Sequence, residues 1–336
     1  MTASAPGRAL VTGGGGFIGK AIIDRLLARG WRVRNLSRSC YPALDALGVE
    51  TVQGDLADRA AVDRACAGCD VVFHVAAKAG VWGPYAEYHR INVVGTENCL
   101  AASRGQARIF VYTSSPSVVF GGGDMAGADE SVPYPAIHRS PYSRSKAEAE
   151  RAVLAANTDA FRTVALRPHL VWGPGDNHIV PRILAQGRAG KLRIIGRGDN
   201  RVDTTYIDNA ADAHLGALDA LTAGAAAAGK AYFISNGEPV VIWDIINGIL
   251  AAADLPPVRR KIPKNVALGG AAVLEMLHRV LRRPGEPRMT RFVVEELAST
   301  HYFDISAARR DLGYVPAVTI QEGLARLRAH LQMECT

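Results

Sequence analysis

Short apolar runs alternate with amphipathic stretches through the first half of the chain. Residues 8–12 form an apolar run, and residues 20–30 carry apolar positions at helical spacing and end in glycine. Further apolar, strand-like runs follow at residues 31–36, 50–53, 70–77, 108–115 and 162–166. Strands that alternate with helices predict an α/β fold built on a doubly wound parallel (Rossmann) sheet.

This alternation breaks at Gly173-Pro174-Gly175 and returns only in part. We therefore expect a smaller mixed C-terminal substrate lobe beside the sheet. The predicted division gives residues 1–170, with a returning segment at about 206–235, to the dinucleotide-binding domain. Residues 171–205 and 236–336 form the predicted lobe.

A glycine-rich turn joins the first predicted strand to the first helix. The spacing is Gly13-x-x-Gly16-x-x-Gly19, between an apolar strand and an amphipathic helix. Glycines in this context let the backbone approach a pyrophosphate, which the helix N-terminus attracts. The alternative is a merely flexible loop, but the strand and helix on either side favour the phosphate cradle.

The end of the second predicted strand indicates which dinucleotide is bound. An NAD-binding protein usually carries an acidic residue there for the ribose hydroxyls. This chain has Ser37-Arg38-Ser39 instead. Arg38 can hold a 2′-phosphate through charge-assisted hydrogen bonds, and Ser37 can donate another. The sequence thus favours NADP(H), although Arg38 can also be read as an ordinary surface residue.

Tyr142 and Lys146 lie four residues apart in an Ala-, Glu- and Arg-rich stretch that follows Ser140-Pro141. Ser140 predicts a helix start, and residues at this spacing share one helix face. An ammonium beside a phenol favours its ionised form, which suggests a proton donor. Taken alone, the pair can also be a coincidence on a solvated helix face.

Composition and charge narrow the class of protein. The 336 residues are 48% hydrophobic and 21% charged, as in an ordinary globular protein, with a formal charge of +7. The arginines are scattered, so no nucleic acid partner is expected, whereas anionic ligands suit the charge. Cys66-x-x-Cys69 lacks a second pair, so no metal is expected. The N-terminus shows no apolar signal segment, which favours the cytoplasm.

Taken together, these motifs resemble the extended short-chain dehydrogenase/reductase superfamily. They occur in the expected order over more than half of the chain, and they include Arg167-Pro168 followed by Gly173-Pro174-Gly175. Within the superfamily the chain is similar to the 3β-hydroxysteroid dehydrogenase branch. Over nearly its whole length it looks most like the bacterial 2-alkyl-3-oxoalkanoate reductases of olefin biosynthesis, through residues 76–83, 166–177, 202–209, 232–239 and 289–292.

The resemblance implies roles for particular residues. Tyr142 is the expected acid/base, Lys146 is expected to hold the nicotinamide ribose and lower the pKa of the phenol, and Ser115 to bind the substrate carbonyl. Ser114 and Ser117 are neighbouring alternatives to Ser115. The remaining expected cofactor contacts come from several strand ends and are Gly13, Gly16, Phe17, Ile18, Gly19, Ser37, Arg38, Asp55, Leu56, Ala76, Asn92, Pro168 and Leu170. A homodimer through the helix near Pro141 is also implied.

Substrate contacts are expected from the lobe and from the loop after the fourth strand. Lys78, His169 and Arg182 are candidate partners for a substrate carboxylate, and Trp82 is a candidate for an apolar channel. Each residue also has a structural alternative. Lys78 and Arg182 can be ordinary solvent-exposed side chains, and His169 and Trp82 can be packed in the core. The glycine-rich stretch at residues 119–127 departs from the family pattern and is expected to reshape the substrate entrance.

The apolar helix predicted at residues 266–281 is too short to span a bilayer. It can lie on a membrane surface, giving peripheral membrane contact, or pack on the lobe.

The leading hypothesis is an NADPH-dependent reductase of an apolar ketone, a long-chain 2-alkyl-3-oxoalkanoic acid. The alternatives are a 3β-hydroxysteroid dehydrogenase, a nucleotide-sugar epimerase or dehydratase, and a non-catalytic dinucleotide sensor.

Overall fold

The computed structural model describes residues 7–281, 283 and 285–334. The outer ends of the two predicted domains, residues 1–6, 335 and 336, lie outside this range. The strands are β1 (Arg8–Thr12), β2 (Arg32–Ser37), β3 (Glu50–Gln53), β4 (Val71–His74), β5 (Ile109–Thr113), β6 (Met125–Ala128), β7 (Arg162–Pro168), β8 (Val171–Trp172), β9 (Ile194–Ile195), β10 (Arg201–Val202), β11 (Thr205–Tyr206), β12 (Lys230–Ile234), β13 (Val240–Val241), β14 (Lys261–Ile262) and β15 (His301–Phe303). The helices are α1 (Phe17–Ala28), α2 (Pro42–Asp45), α3 (Arg59–Cys66), α4 (Tyr85–Tyr88), α5 (Gly95–Ser103), α6 (Pro141–Ala155), α7 (Ile179–Arg188), α8 (Ile207–Ala223), α9 (Ile242–Ala252), α10 (Lys264–Val280), α11 (Arg291–Leu297), α12 (Ser306–Leu312) and α13 (Ile320–Glu334).

Seven of these strands form one parallel sheet, in the order β12-β7-β5-β4-β1-β2-β3. The chain moves outward from β1 in one direction and then from β4 in the other, so the strand order reverses between β1 and β4. In open parallel sheets a ligand binds at the carboxyl ends of the strands beside such a reversal. This confirms the predicted doubly wound Rossmann sheet.

The sheet separates two layers of buried apolar side chains. Along β1, Ala9 and Val11 face one layer, while Leu10 faces the other. A strand buried on both faces reads as a continuous apolar run, which is the pattern seen in the sequence. Helices α1 and α8 pack against one face of the sheet, and α3 and α5 against the other.

A smaller mixed sheet, in the order β13-β10-β15-β6, belongs to the lobe. Strand β6 comes from the glycine-rich stretch that follows β5, and it pairs in parallel with β15 through Met125 and His301. The stretch is therefore part of the lobe rather than a free loop. A third apolar cluster, which includes Trp243 and Ile249, fills the lobe.

Candidate active site

A cavity of about 850 Å³ opens at the carboxyl edge of the large sheet. Its walls come from the turns that follow β1, β2, β3, β4, β5 and β7, and the lobe closes it through α7 and α11. Most of the expected site residues line this cavity: Gly13, Gly16, Phe17, Ile18, Gly19, Ser37, Arg38, Asp55, Leu56, Ala76, Lys78, Ser115, Tyr142, Lys146, Pro168, His169, Leu170 and Arg182.

The turn between β1 and α1 is shaped for a close approach of the main chain. Gly13 has a φ of +72°, and a Cβ on Gly19 would lie 2.3 Å from the Gly13 carbonyl oxygen. Within the described part of the chain, α1 has no capping side chain at its N-terminus. Its first amide groups thus remain available for an anion, since such groups need an external partner. These residues fit the pyrophosphate of a dinucleotide.

Helix α6 begins as the sequence predicts. Ser140 accepts a hydrogen bond from the Ser143 amide at 3.1 Å, and the Ser140 amide donates to the Ser143 hydroxyl at 3.2 Å. This reciprocal cap, followed by Pro141 in the first turn, fixes where the helix starts. Tyr142 and Lys146 therefore lie one above the other and face the cavity.

Lys146 is almost completely buried. Its Nζ donates to the carbonyl oxygen of Thr113 at 2.6 Å and lies 4.0 Å from the centre of the Tyr112 ring. Burial lowers the pKa of Lys146 to about 7, and the Glu150 carboxylate opposes this shift only in part. The amine accordingly changes charge near neutral pH.

Tyr142 and Ser115 both line the cavity and interact with each other. Burial raises the pKa of Tyr142 to about 12, hydrogen bonding to Ser115 lowers it in part, and Glu296 raises it further. The net shift is upward because burial dominates, and the expectation that Lys146 lowers the pKa of the phenol stays a prediction. The phenol stays protonated at neutral pH and can act as an acid. The Ser115 hydroxyl also lies 2.9 Å from that of Ser117.

The lobe contributes a polar cluster to the cavity wall that the sequence did not reveal. His169 Nδ1 lies 2.6 Å from Asp203 Oδ1, and His169 Nε2 lies 3.2 Å from His301 Nδ1. Both ring nitrogens of His169 are therefore engaged within the protein, which favours its packing role over binding of a substrate carboxylate. Glu296 lines the cavity beside this cluster, and burial raises its pKa to about 7, partly offset by His169.

The end of β2 presents Arg38 to the cavity with its side chain exposed. Arg38 forms no ion pair within the described residues. Ser37 donates to the Ser39 carbonyl oxygen at 2.7 Å, so its proton is already used. At the end of β3, Asp55 accepts a hydrogen bond from the Ala57 amide and pairs with Arg90 at 3.2 Å, and both contacts lower the pKa of Asp55.

Two cations of the cavity lining, Lys78 and Arg182, each have a carboxylate partner. Lys78 Nζ lies 2.9 Å from Glu87. Arg182, which is 41% exposed, lies 3.7 Å from Glu286. Glu286 also accepts a hydrogen bond from the Val81 amide at 2.5 Å. Since the Arg182 contact is the longer one, it is the weaker of the two pairs.

Two expected site residues lie elsewhere. Asn92 is buried behind the cavity wall, where its side chain binds the main chain of Lys78 at 2.7 and 3.1 Å and the hydroxyl of Ser145 at 2.9 Å. It holds the loop after β4 against α6 rather than lining the cavity. Trp82 lines a second cavity of about 680 Å³ between α10, α11 and the start of α6.

Glu296 and His301 carry no local motif, and this explains why sequence reasoning missed them. One signal was present: Phe292 and Glu296 are four residues apart on α11, and both line the cavity. Residues 289–292 are among the segments that carry the family resemblance. If they begin a helix, Glu296 lies on the same helix face as Phe292, because the two residues are four apart.

A Rossmann sheet with a glycine cradle and a Tyr-x-x-x-Lys helix at its carboxyl edge defines the dehydrogenase/reductase class. A profile of the 3-beta hydroxysteroid dehydrogenase/isomerase family matches residues 10–263. The chain belongs to this family, whose name describes oxidoreductases.

Individual relatives agree with this assignment. The chain is 51% identical to a 2-alkyl-3-oxoalkanoate reductase of Shewanella oneidensis, over 96% of this chain and 86% of that protein. It is 52% identical to the 2-alkyl-3-oxoalkanoate reductase of Stenotrophomonas maltophilia, over 95% and 98%. A 3 beta-hydroxysteroid dehydrogenase/Delta 5-->4-isomerase of Mycobacterium tuberculosis is 37% identical, over 95% and 88%.

Among solved structures, the crystal structure of gox2253 matches with a TM-score of 0.77 and 26% identity, over 97% of this chain and 98% of that chain. A Bacillus cereus UDP-glucuronic acid 4-epimerase in complex with NAD matches with a TM-score of 0.74 and 23% identity, over 98% and 100%. At 23% identity, the similarity to the epimerase shows a shared fold and nothing further.

Proposed function

We propose that this chain is an NADPH-dependent reductase that converts a long-chain 2-alkyl-3-oxoalkanoic acid to the 2-alkyl-3-hydroxyalkanoic acid. The observation that carries the proposal is the convergence of Ser115, Tyr142 and Lys146 on a cavity that begins at a glycine cradle. The two relatives at 51% and 52% identity, both named 2-alkyl-3-oxoalkanoate reductases, supply the substrate class.

The cofactor assignment rests on the end of β2. Arg38 is exposed to the cavity, and no acidic residue stands at residues 37–39 to repel a 2′-phosphate. Gly13, Gly19 and the first turn of α1 would hold the pyrophosphate, and Arg38 would hold the phosphate on the adenosine ribose. When bound, the cofactor supplies the hydride that the carbonyl carbon accepts.

The protein's own residues then handle the carbonyl oxygen. Ser115 donates a hydrogen bond to that oxygen and stabilises the negative charge that develops on it. Tyr142, which is neutral at physiological pH because of its raised pKa, gives its proton to the same oxygen. Lys146, held by Thr113, is placed one helical turn away to stabilise the resulting phenolate.

The carboxylate of the substrate needs a cation on the other side of the cavity. Arg182 is the stronger candidate, since it lies 3.7 Å from its partner Glu286, whereas Lys78 lies only 2.9 Å from Glu87. Because burial raises the pKa of Glu296 to about 7, this residue is mostly neutral below that pH and then repels an acid little.

A substrate panel tests the proposed function. The purified protein is given NADPH with a 2-alkyl-3-oxo acid, its methyl ester and a 3-ketosteroid, and NAD⁺ with a 3β-hydroxysteroid and a UDP-sugar. We expect oxidation of NADPH with the keto acid at the highest kcat/KM. Preferred turnover of the steroid would support the 37% identical relative's activity instead, and conversion of only the UDP-sugar would overturn the proposal.

A further inference from the structure

Glu296 lines the active-site cavity, and no step of the proposed reduction uses its carboxyl group. Tyr142 lines the same cavity, and the two groups are close enough for the charge of Glu296 to raise the pKa of the phenol. In the proposed reaction the phenol meets the ketone oxygen of the substrate. A titratable carboxyl group therefore lies near the place of that oxygen.

Helix α11 carries Glu296, and its first turn is firmly anchored. Thr290 caps the helix by accepting a hydrogen bond from a main-chain amide of the first turn at 3.2 Å. The amide and the Nε of Arg291 each donate to Glu275 of α10 at 2.8 Å. Helix α10 is the apolar helix that the sequence predicts at residues 266–281; among the described residues, no helix is both long and apolar enough to cross a membrane. These contacts fix the place of Glu296 in the cavity wall.

The hydrogen bonds between His169 and His301 show where the protons of the two rings lie. His301 Nε2 lies 2.9 Å from the carbonyl oxygen of Glu296, and this nitrogen carries a proton because a carbonyl oxygen only accepts. Burial, together with the charge of His169, lowers the pKa of His301 to about 4, so this ring is neutral and its Nδ1 can only accept. His169 Nε2, 3.2 Å away, must therefore carry the proton between them.

The other ring nitrogen of His169 carries a proton as well. Its Nδ1 lies 2.6 Å from Oδ1 of Asp203, and Oδ2 of the same carboxylate accepts from the Phe303 amide at 3.0 Å. Two such hydrogen bonds favour the ionised form of the carboxyl group. His169 is thus an imidazolium, and it forms a buried ion pair with Asp203.

The imidazolium explains how Glu296 can ionise inside the protein. Burial raises the pKa of Glu296, and the positive charge of His169 opposes that rise, which leaves the pKa at about 7. Burial raises the pKa of Tyr142 to about 12. Two groups of one cavity whose pKa values lie this far apart can act as a base and an acid at the same pH.

From this arrangement we propose that Glu296 is a catalytic base that removes the C2 proton of the 3-oxo substrate and exchanges it with solvent. The C2–H electron pair forms a C2–C3 double bond, the C3=O electrons move to the oxygen, and Glu296 holds the proton. Ser115 and Tyr142 donate to the enolate oxygen. A solvent-derived proton then returns from Glu296 to C2 and restores the ketone, so the step needs no oxidant or reductant. This inference rests on the proposed function, which places the ketone oxygen at Ser115 and Tyr142.

Deuterium exchange tests the proposal. The protein is incubated in D₂O with NADP⁺, which carries no hydride, and with the methyl ester of a 2-alkyl-3-oxo acid, which cannot lose CO₂. Mass spectrometry measures deuterium at C2. We expect the wild type to exchange the C2 hydrogen at least about a hundredfold faster than buffer does. After subtraction of the buffer rate, exchange should rise with pH through about 7, as Glu296 ionises.

Three variants separate the base from its surroundings. Glu296→Gln should bring exchange to within about threefold of the buffer rate, since the base is lost. Glu295→Gln changes the neighbouring residue, which lines the second cavity instead, and should exchange like the wild type. Asp203→Asn removes the counter-charge of the His169 imidazolium, so the rise in exchange should move to higher pH. Circular dichroism and NADP⁺ titration check that each variant is folded.

The outcomes distinguish this inference from the proposed function. A wild type that reduces the keto acid with NADPH but exchanges no faster than buffer would overturn the inference and leave the proposed function in place. Exchange by Glu296→Gln at the wild-type rate would also overturn the inference. A wild type that neither reduces the acid nor exchanges the ester would overturn both.

Discussion

Glu150 and Arg167 form a two-point ion pair in the interior, with N···O distances of 2.6 and 3.0 Å. Both side chains are almost completely buried, and the Tyr134 hydroxyl donates a further hydrogen bond to Glu150 at 2.6 Å. The pair joins α6, which carries Tyr142 and Lys146, to β7, whose end forms the cavity wall at Pro168. It thus fixes the position of Tyr142 and Lys146 relative to the end of β7 in the cavity wall.

Breaking this pair should destabilise the fold. Glu150→Gln leaves the buried Arg167 guanidinium without its counter-charge, which costs about 3–5 kcal/mol of unfolding free energy. Urea denaturation measures the change. The matched control is Asp63→Asn in the exposed pair with Arg59 on α3, where the loss should stay below about 1 kcal/mol. If both variants lose the same free energy of unfolding, the buried pair does not stabilise the fold more than the exposed pair does.

Cofactor preference should depend on Arg38. Arg38→Ala removes the group that we assign to the 2′-phosphate, so the KM for NADPH should rise at least about tenfold, the loss of one charge-assisted contact of about 1.5–3 kcal/mol. The KM for NADH should change little. Arg32→Ala, at an exposed arginine that begins β2 and does not line the cavity, serves as the control. An unchanged NADPH KM in Arg38→Ala would refute this assignment.

The glycine cradle should tolerate no side chain at Gly19. A Cβ there would lie 2.3 Å from the Gly13 carbonyl oxygen, so Gly19→Ala must displace the turn that faces the pyrophosphate. Isothermal titration should show NADPH binding weakened by roughly a hundredfold or more, the equivalent of about 3 kcal/mol. Gly269→Ala, on α10 with no atom within 4 Å of its added Cβ, should bind NADPH normally. Normal binding by Gly19→Ala would contradict the cradle.

Glu296 should make substrate binding depend on pH. Its pKa is raised to about 7, so the group is neutral below that pH and negatively charged above it. The KM for a 2-alkyl-3-oxo acid should thus rise about fivefold between pH 6 and pH 8, for roughly 1 kcal/mol of repulsion. The KM for the methyl ester should not rise in this way. Lys146, with a pKa of about 7, titrates in the same range and affects both substrates.

Glu296→Gln separates the two contributions, because it removes the repulsion and leaves Lys146 in place. The pH-dependent difference between acid and ester should disappear in this variant. Stability gives a second reading of the same pKa: protonated Glu296 favours the folded state, an advantage present below about pH 4.5 and lost as pH rises through 7. Glu296→Gln should accordingly gain stability relative to the wild type between pH 5 and pH 8. A persistent acid-specific rise in KM would exclude Glu296 as its source.

The sequence predicts most reliably those features whose causes are local. The turn from Gly13 to Gly19 and the helix start at Ser140 follow from neighbouring residues, and the structure confirms both. The edge of the sheet that gathers the strand ends follows from the alternation of elements, because parallel strands bring their carboxyl ends together.

Features that depend on distant segments could not be predicted in this way. The pKa values of Tyr142 and Lys146 are set mainly by burial, which only the folded chain defines. The sequence left His169 open between binding a substrate carboxylate and core packing; the structure shows it held by Asp203 and by His301, 132 positions along the chain. Strand β6 likewise pairs with β15, which lies far along the chain.

The most direct test compares kcat for the reduction of a 2-alkyl-3-oxo acid by NADPH in the wild type and in Tyr142→Phe. The substitution removes the proton donor and keeps the ring, so kcat should fall at least about a hundredfold. NADPH affinity, measured in parallel by fluorescence titration, should stay within about twofold of the wild type, as the cradle lies elsewhere. Turnover by Tyr142→Phe close to that of the wild type would contradict the account.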